Sequence, residues 1–226
     1  MKKTFMILNI FFAIATVAVM LIYRHFGGVL LKGLASFCFV AIGIINLIYA
    51  ILNKSKYIKY SIVLLTGLTV ACVADVVLNL NFMFGAVVFA VGHIFYFVAY
   101  TLLYKFKWMD LIIASIIFVP SCLVLVFVPI FDFGGIIMQL VCIVYAIIIS
   151  CMLGKAISNL VQERTFSNAL IVLGSALFFF SDLMLLFDVF ASTASLIFGI
   201  LCMISYWPGQ AVIAHSILEK VEEEKK

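Results

Sequence analysis

Two aspartates, Asp75 and Asp182, stand where a charge is hard to keep. Each comes toward the end of a long apolar run, LLTGLTVACVAD and IVLGSALFFFSD. An ionised carboxylate at membrane depth costs at least about 2.5 kcal/mol, so such acids face a protein interior or a water-filled cavity. The two segments also match each other. Gly67 precedes Asp75 by eight residues and Gly174 precedes Asp182 by eight, while Leu78 and Leu185 each follow three residues later. Matched acid-bearing helices point to a duplicated bundle whose halves bring two carboxylates into one cavity. Such a pair suits proton-transfer chemistry, with one acid as proton donor and the other as an anion beside a developing positive charge. An apolar site favours the protonated acid, and a like charge beside it does so further, so one member can keep its proton near neutral pH. For either residue alone, the plainer alternative is a cap on a helix end near the headgroups.

Other polar side chains interrupt the apolar runs: Lys32, Asn79, His93, Tyr96, Asp188, Tyr206 and Gln210. Lys32 either snorkels to the headgroups or pairs with Asp75 or Asp182. His93 either satisfies a backbone carbonyl in the core or joins the acids. Pro208 removes a helical hydrogen bond beside Tyr206 and Gln210 and is expected to kink its helix, and broken helices at membrane depth often line a cavity. Several chemistries lack their residues. There is no HExxH, no clustered His/Cys/Asp set, no GxSxG elbow and no glycine-rich phosphate loop. No metal or other cofactor is expected. The six cysteines are scattered through apolar runs without a CxxC pair, which suits small buried hydrophobes.

The elements that position these residues follow from composition. Of 226 residues, 67% are hydrophobic and 11% charged, with mean hydropathy +1.34. Soluble domains hold about 45–50% apolar and 25% charged residues, so the chain reads as an integral membrane protein with no room for a sizeable soluble domain. The first run, Phe5–Ile22, follows Lys2 and Lys3 like a signal peptide, but no cleavage site precedes a polar region and further spans follow. It reads as a retained helix. A span needs about 20 mostly apolar residues. Eight are expected, at 5–22, 29–52, 60–78, 83–104, 109–130, 133–153, 168–190 and 192–217, giving an all-α polytopic bundle in one membrane domain over 1–226. The short connections make sequential helices antiparallel neighbours.

With eight spans, 12 of the 14 basic residues fall on one side and only Arg24 and Lys32 on the other. By the positive-inside rule both termini are then cytoplasmic. The net charge of +4 is explained by topology and anionic lipid, and no nucleic-acid partner is needed. The tail LEKVEEEKK is expected to be a solvated helix end. Asp75 and Asp182 lie 107 residues apart on spans that run the same way, so the duplication is a parallel four-plus-four repeat, with a weaker match between HIFYFVAY and ISYWPGQAV. Lys32, Asp75, Asn79, Asp182 and Asp188 fall in the outer half of the bundle. His93, Tyr206 and Gln210 fall near the centre, and Tyr96 lies somewhat further in. Far fewer polar groups are expected in the inner half, as for a cavity open to the outside. Tyr23, Tyr57, Tyr60, Tyr104 and Trp108 are expected as interfacial anchors, Asp110 and Asp132 as ordinary caps, and Phe178–Phe180 as packing or lipid-facing residues.

Taken in order, ADVVLNL, GHIFYFVAY, SDLMLLFD and YWPGQAVIAHS, spread over eight short spans, resemble the YhhN family, which includes the lysoplasmalogenases. The resemblance covers nearly the whole chain, and its specificity comes from the order of the motifs. Lys32 also looks like a family feature, although Gly33 follows it where proline is expected. The resemblance implies hydrolysis of the vinyl ether bond of lysoplasmalogens in the cell membrane. The products are a fatty aldehyde and a glycerophosphoethanolamine or glycerophosphocholine.

The residues suit that chemistry without a cofactor. Protonation of the carbon beta to the ether oxygen gives an oxocarbenium ion, which water captures, so a general acid and a cation-stabilising carboxylate are the minimal equipment. Asp75 and Asp182 are the expected pair. Asp182 is favoured as the acid because FFFSD gives it the more apolar approach. Lys32, Asn79, His93, Tyr96, Asp188, Tyr206 and Gln210 are expected to support the pair or the substrate, with Lys32 as a phosphate partner. Membrane lipids are the surrounding partners. The competing reading is a proton-coupled small-molecule or lipid transporter or binding protein, since duplicated halves and midplane acids also describe carriers. A structural or regulatory membrane protein without chemistry is a third reading, against which two buried acids argue.

Overall fold

A computed structural model describes residues 1–191 and 196–225. Among the described residues the chain forms eight helices: α1 (Lys2–Phe26), α2 (Val29–Leu52), α3 (Ile58–Leu80), α4 (Phe82–Leu103), α5 (Trp108–Phe127), α6 (Ile136–Gln162), α7 (Phe166–Phe190) and α8 (Leu196–Glu223). All eight are long and apolar enough to cross a membrane. At 20 to 28 residues and about 1.5 Å per residue, they run roughly 30–42 Å, enough for a hydrocarbon core of about 30 Å. Asn81 caps α4 by accepting from the Phe84 amide at 3.1 Å, and Thr165 caps α7 through the Asn168 amide at 3.3 Å.

The apolar runs locate each helix but underestimate several lengths. α1 extends to both sides of 5–22, α6 continues from the expected 153 to Gln162, and α8 continues from 217 to Glu223, whereas α5 stops at Phe127. The start expected at 192, and Lys226, lie outside the described residues. The extensions of α6 and α8 carry polar residues that the bundle buries. Lys155, Ser158 and Asn159 of α6 and Lys220 of α8 are buried. The tail is therefore only partly solvated: Leu218, Lys220 and Val221 are buried, whereas Glu224 and Lys225 are exposed. Lys220 Nζ lies over the rings of Tyr57 and Tyr104, at 5.5 and 5.4 Å. Glu223 accepts from the Ser167 amide at 2.8 Å, and Glu222 accepts from the Tyr49 hydroxyl. Lys2 pairs with Glu219 and Glu222 at 3.8 and 3.5 Å, so the two termini meet on the side that the charge partition assigns to the cytoplasm.

The packing repeats between the halves. α1 packs on α2, α2 on α3 and α3 on α4, and likewise α5 packs on α6, α6 on α7 and α7 on α8. The halves join through α2·α8 and α4·α6, which exchange under the same correspondence. The glycines of the matched segments are the crossing points. A Cβ at Gly67 would stand 2.6 Å from Tyr96 Cε1 and 3.3 Å from the Gly92 carbonyl. One at Gly174 would stand 2.6 Å from Ile213 Cγ1 and 2.8 Å from the Gly209 carbonyl. Each Gly-x7-Asp segment thus fixes a close crossing and places an acid about two turns beyond it. The symmetry breaks in two places: α1 and α3 also come close to α8, whereas among the described residues the backbones of α5 and α7 do not come equally close to α4, which α7 meets through longer side chains such as Phe178 and Asp182.

Gly174→Val tests the crossing. The added carbons meet backbone, which cannot move aside unless the helices separate, and such overpacking costs about 1–3 kcal/mol. The small helix-propensity gain over glycine does not offset it. A thermal melt in detergent will show a lower midpoint for the variant. An unchanged midpoint would mean the helices part freely.

The inner half of the bundle is not apolar, contrary to expectation. Tyr60 and Ser216 hydroxyls lie 3.1 Å apart, Tyr100 and Ser175 2.9 Å, and Asn9 and Asn46 exchange two 2.8 Å amide bonds. Tyr60 is therefore a core residue, not an interfacial anchor. Asp110 does cap α5, accepting from the Lys107 amide at 2.9 Å, but it also pairs with buried Lys155 at 2.9 Å. These groups pair across helices because unpaired polar groups are costly away from water. Single spans cannot display such partners, which explains why the inner half reads as apolar. Helix α8 runs through Pro208 without interruption.

Candidate active site

Asp75 projects from α3 and is 1% exposed. Its Oδ2 accepts from Ser36 of α2 at 2.5 Å and from the Tyr206 hydroxyl of α8 at 2.7 Å. Lys32 Nζ lies 3.7 Å from Oδ1, so of its two alternatives the lysine takes the ion pair. Trp207 Nε1 donates to Ser36 Oγ at 3.0 Å, which holds that hydroxyl in place for Asp75. Lys32 and Ser36 are one turn apart on α2 and so face the same acid.

Asp182 projects from α7. Its Oδ2 accepts from the Tyr145 hydroxyl of α6 at 2.6 Å, with His93 Nε2 of α4 at 3.2 Å. His93 Nε2 is also 2.7 Å from the Tyr145 oxygen, and His93 Nδ1 has no hydrogen-bond partner among the described residues. A neutral ring protonated on Nε2 fits this pattern: it donates toward the tyrosine and the acid, and leaves Nδ1 as a bare acceptor. Phe178 lies against the imidazole with ring centroids 4.4 Å apart.

The two acids are held in the same way. Each sits on the third helix of its half. Each receives one donor from the second helix of its own half and one from the fourth helix of the other half. The surroundings differ in charge: Asp75 has a lysine as counter-charge, whereas Asp182 has a phenol and an imidazole.

Both acids line one cavity of about 280 Å³, with Arg24, Lys32, Asp188 and Tyr206 also in its wall. Beside it lies an apolar cavity of about 100 Å³ walled by α4, α5, α6 and α7 with Leu78 of α3. Leu78, Phe89, Asp182 and Leu185 belong to both walls. Asp182 thus stands at the junction, whereas Asp75 faces only the polar chamber.

Not every expected residue comes to these chambers. Asn79 Nδ2 donates to the Asp75 backbone carbonyl at 3.1 Å and does not reach the carboxylate. Tyr96 donates to Gln210 at 2.6 Å, and the two form a separate pair further inward. The register explains this correction. Gly92 and Gly209 occupy equivalent crossings, so Gln210 is the counterpart of His93, but on α8 the donor to the acid is Tyr206, one turn further out. Arg24, Ser36, Tyr145 and Trp207 were not singled out from the sequence. Ser36 was findable from its spacing to Lys32, and Arg24 as one of two outer basic residues. Tyr145 lies in VCIVYAII with nothing to mark it. Among the described residues no three His, Cys, Asp or Glu side chains converge as metal ligands.

Comparison with known families matches residues 35–217 to the YhhN family. The chain belongs to that family. The match takes in Ser36, Asp75, His93, Tyr145, Asp182 and Tyr206, while Arg24 and Lys32 precede it. No curated protein and no solved structure matches the chain. In this YhhN member the polar chamber can host a charged or zwitterionic group, since it carries two basic residues and Asp188 in addition to the acid pair. The apolar chamber can host only a hydrocarbon. The acid with neutral donors stands between them.

Proposed function

We propose that this protein is an intramembrane hydrolase that cleaves the vinyl ether bond of lysoplasmalogens in the cell membrane, releasing a fatty aldehyde and a glycerophospho-alcohol. The observation that carries the reading is the placement of two unlike carboxyls, Asp75 with Lys32 and Asp182 with Tyr145 and His93, in the wall of one chamber beside an apolar one. Asp182 is the general acid and Asp75 the ionised partner. Asp182 gives its proton to C2 of the alkenyl chain, and the C1–O unit becomes an oxocarbenium ion. Asp75 is the anion that stabilises this cation and orients a water. The water adds to C1, and its proton returns to the Asp182 carboxylate. The hemiacetal then collapses to aldehyde and a free glycerol hydroxyl. No metal or other cofactor is invoked. Lys32 neutralises Asp75 and stands where a headgroup phosphate would approach.

Purified protein incubated with lysoplasmalogen tests the reading: aldehyde and glycerophospho-alcohol will appear in equal amounts, and none from a saturated 1-O-alkyl analogue. The parallel repeat also suits a proton-coupled carrier. Absence of aldehyde, with proton-gradient-driven solute uptake into proteoliposomes, would replace the hydrolase reading with that one.

Tyr145→Phe addresses the setting of Asp182. Loss of a hydrogen bond to a charged or ionisable group costs about 1.5–3 kcal/mol, or about 10–150-fold in rate. Aldehyde release will fall by that range while the melting midpoint stays near wild type. Unchanged turnover would remove Tyr145 from the site.

A further inference from the structure

The apolar chamber occupies the place where the pseudo-symmetry fails. In the first half α1 closes against α8. Its counterpart α5 does not pack against α4, the counterpart of α8, among the described residues. The chamber lies in that unclosed angle, with Ala86 and Phe89 of α4 on one wall and Ser121 and Leu125 of α5 on another. By chain direction all these positions fall in the outer half of the bundle, level with the polar chamber. On its inner flank the chamber ends on Tyr145 and Ile149. It is therefore an apolar recess beside Asp182, in the angle between two helices whose backbones do not come close.

We propose that this chamber is a hydrocarbon-binding site for the alkyl or alkenyl chain of a lysophospholipid, entered laterally from the outer leaflet between α4 and α5. The inference rests on the hydrolase reading for its orientation. With the reacting bond at Asp182 and the headgroup among Arg24, Lys32 and Asp188, the chain carbons next to the ether enter the apolar chamber. Size sets how much of the chain is held. An apolar cavity of about 150 Å³ takes one benzene, so a chamber of about 100 Å³ takes only a few carbons, and the rest of the chain stays in the bilayer through the gap. The site therefore reads bulk close to the ether and is indifferent to the length of the distal chain. Ala146, buried in the chamber wall on α6, is the specificity-determining position, because a larger side chain there fills the space directly.

The test uses saturated 1-O-alkyl lysophosphatidylethanolamine carrying a diazirine, which photolabels but lacks the vinyl ether. With the diazirine near the ether, the label will fall within 121–125, 141–149 and 179–186. With it at the chain end, the label will fall on lipid-facing positions of α4 and α5. Ala146→Phe will reduce proximal labelling by at least about tenfold, in keeping with the 10–200-fold effect of methylene-sized misfits in apolar pockets. Ala86→Leu provides a second variant from the opposite wall, and a melting curve shows that each remains folded. Proximal label spread evenly over α1 and the other outer faces would overturn the proposal, as would wild-type labelling by both filled variants. Wild-type labelling of the chamber without aldehyde release from lysoplasmalogen would leave this site standing and remove the hydrolase.

Discussion

Asp182→Asn will release aldehyde about 10²–10⁴ times more slowly than wild type, the range lost when positioned acid–base catalysis is removed. The amide keeps the shape of the acid and can still accept from Tyr145, so the chamber wall and the melting midpoint will change little. A neutral amide is also cheaper than a carboxylate at membrane depth. What disappears is the proton that C2 must receive. The measurement is initial-rate aldehyde release by variant and wild type purified to equal monodispersity. A variant within a few-fold of wild type would end the two-carboxylate mechanism. Asp75→Asn is a less clean probe, because it leaves Lys32, whose side chain is only 12% exposed, without its counter-charge. Pairing it with Lys32→Met removes both charges together.

The residues that sequence reading located share one property: they are costly where they stand. Asp75, Asp182, Lys32 and His93 interrupt apolar runs, and the cost of a polar group in hydrocarbon makes each visible without a partner in view. The spans were legible for the same reason, and the matched Gly-x7-Asp segments foretold a repeat that the helix packing displays. Residues that are ordinary in an apolar run were not visible. Tyr145 and Trp207 are tyrosine and tryptophan in a membrane helix, where either could anchor at an interface or pack, and only tertiary contact makes them donors to Asp182 and to Ser36. Gln210 misled in the opposite way. It is as conspicuous as His93, yet its carbonyl oxygen is taken by Tyr96 one turn below the acids. The tail misled because its charges look solvated in sequence, whereas the rings of Tyr57 and Tyr104 and the Ser167 amide await them in the fold. The open angle between α4 and α5 has no sequence signal, since it is a contact the chain does not make.

That open angle gives unusual weight to what holds α5. Among the described residues α5 packs on α6 alone. Gly154 allows the approach, for a Cβ there would stand 2.8 Å from the Ala114 amide nitrogen, and the Asp110–Lys155 pair closes the inner end. Lys155 also donates to the Lys105 carbonyl at 3.1 Å, tying the α4–α5 connection to α6. Breaking a buried pair by removing one partner costs about 3–5 kcal/mol, because an uncompensated charge is left behind, whereas removing both charges is often close to neutral. Lys155→Met will therefore lower the thermal midpoint in detergent more than any other substitution considered above. Asp110→Asn combined with Lys155→Met will recover part of the loss, since the asparagine keeps an acceptor for the Lys107 amide without stranding a charge. A single variant as stable as wild type would show that water reaches the pair, and a double variant no better than the single would place the loss in packing and not in charge. If α5 forms one wall of a lateral entrance, it needs a firm inner anchor and an outer half free of α4. The buried pair supplies the anchor at the end of the helix where the entrance does not lie.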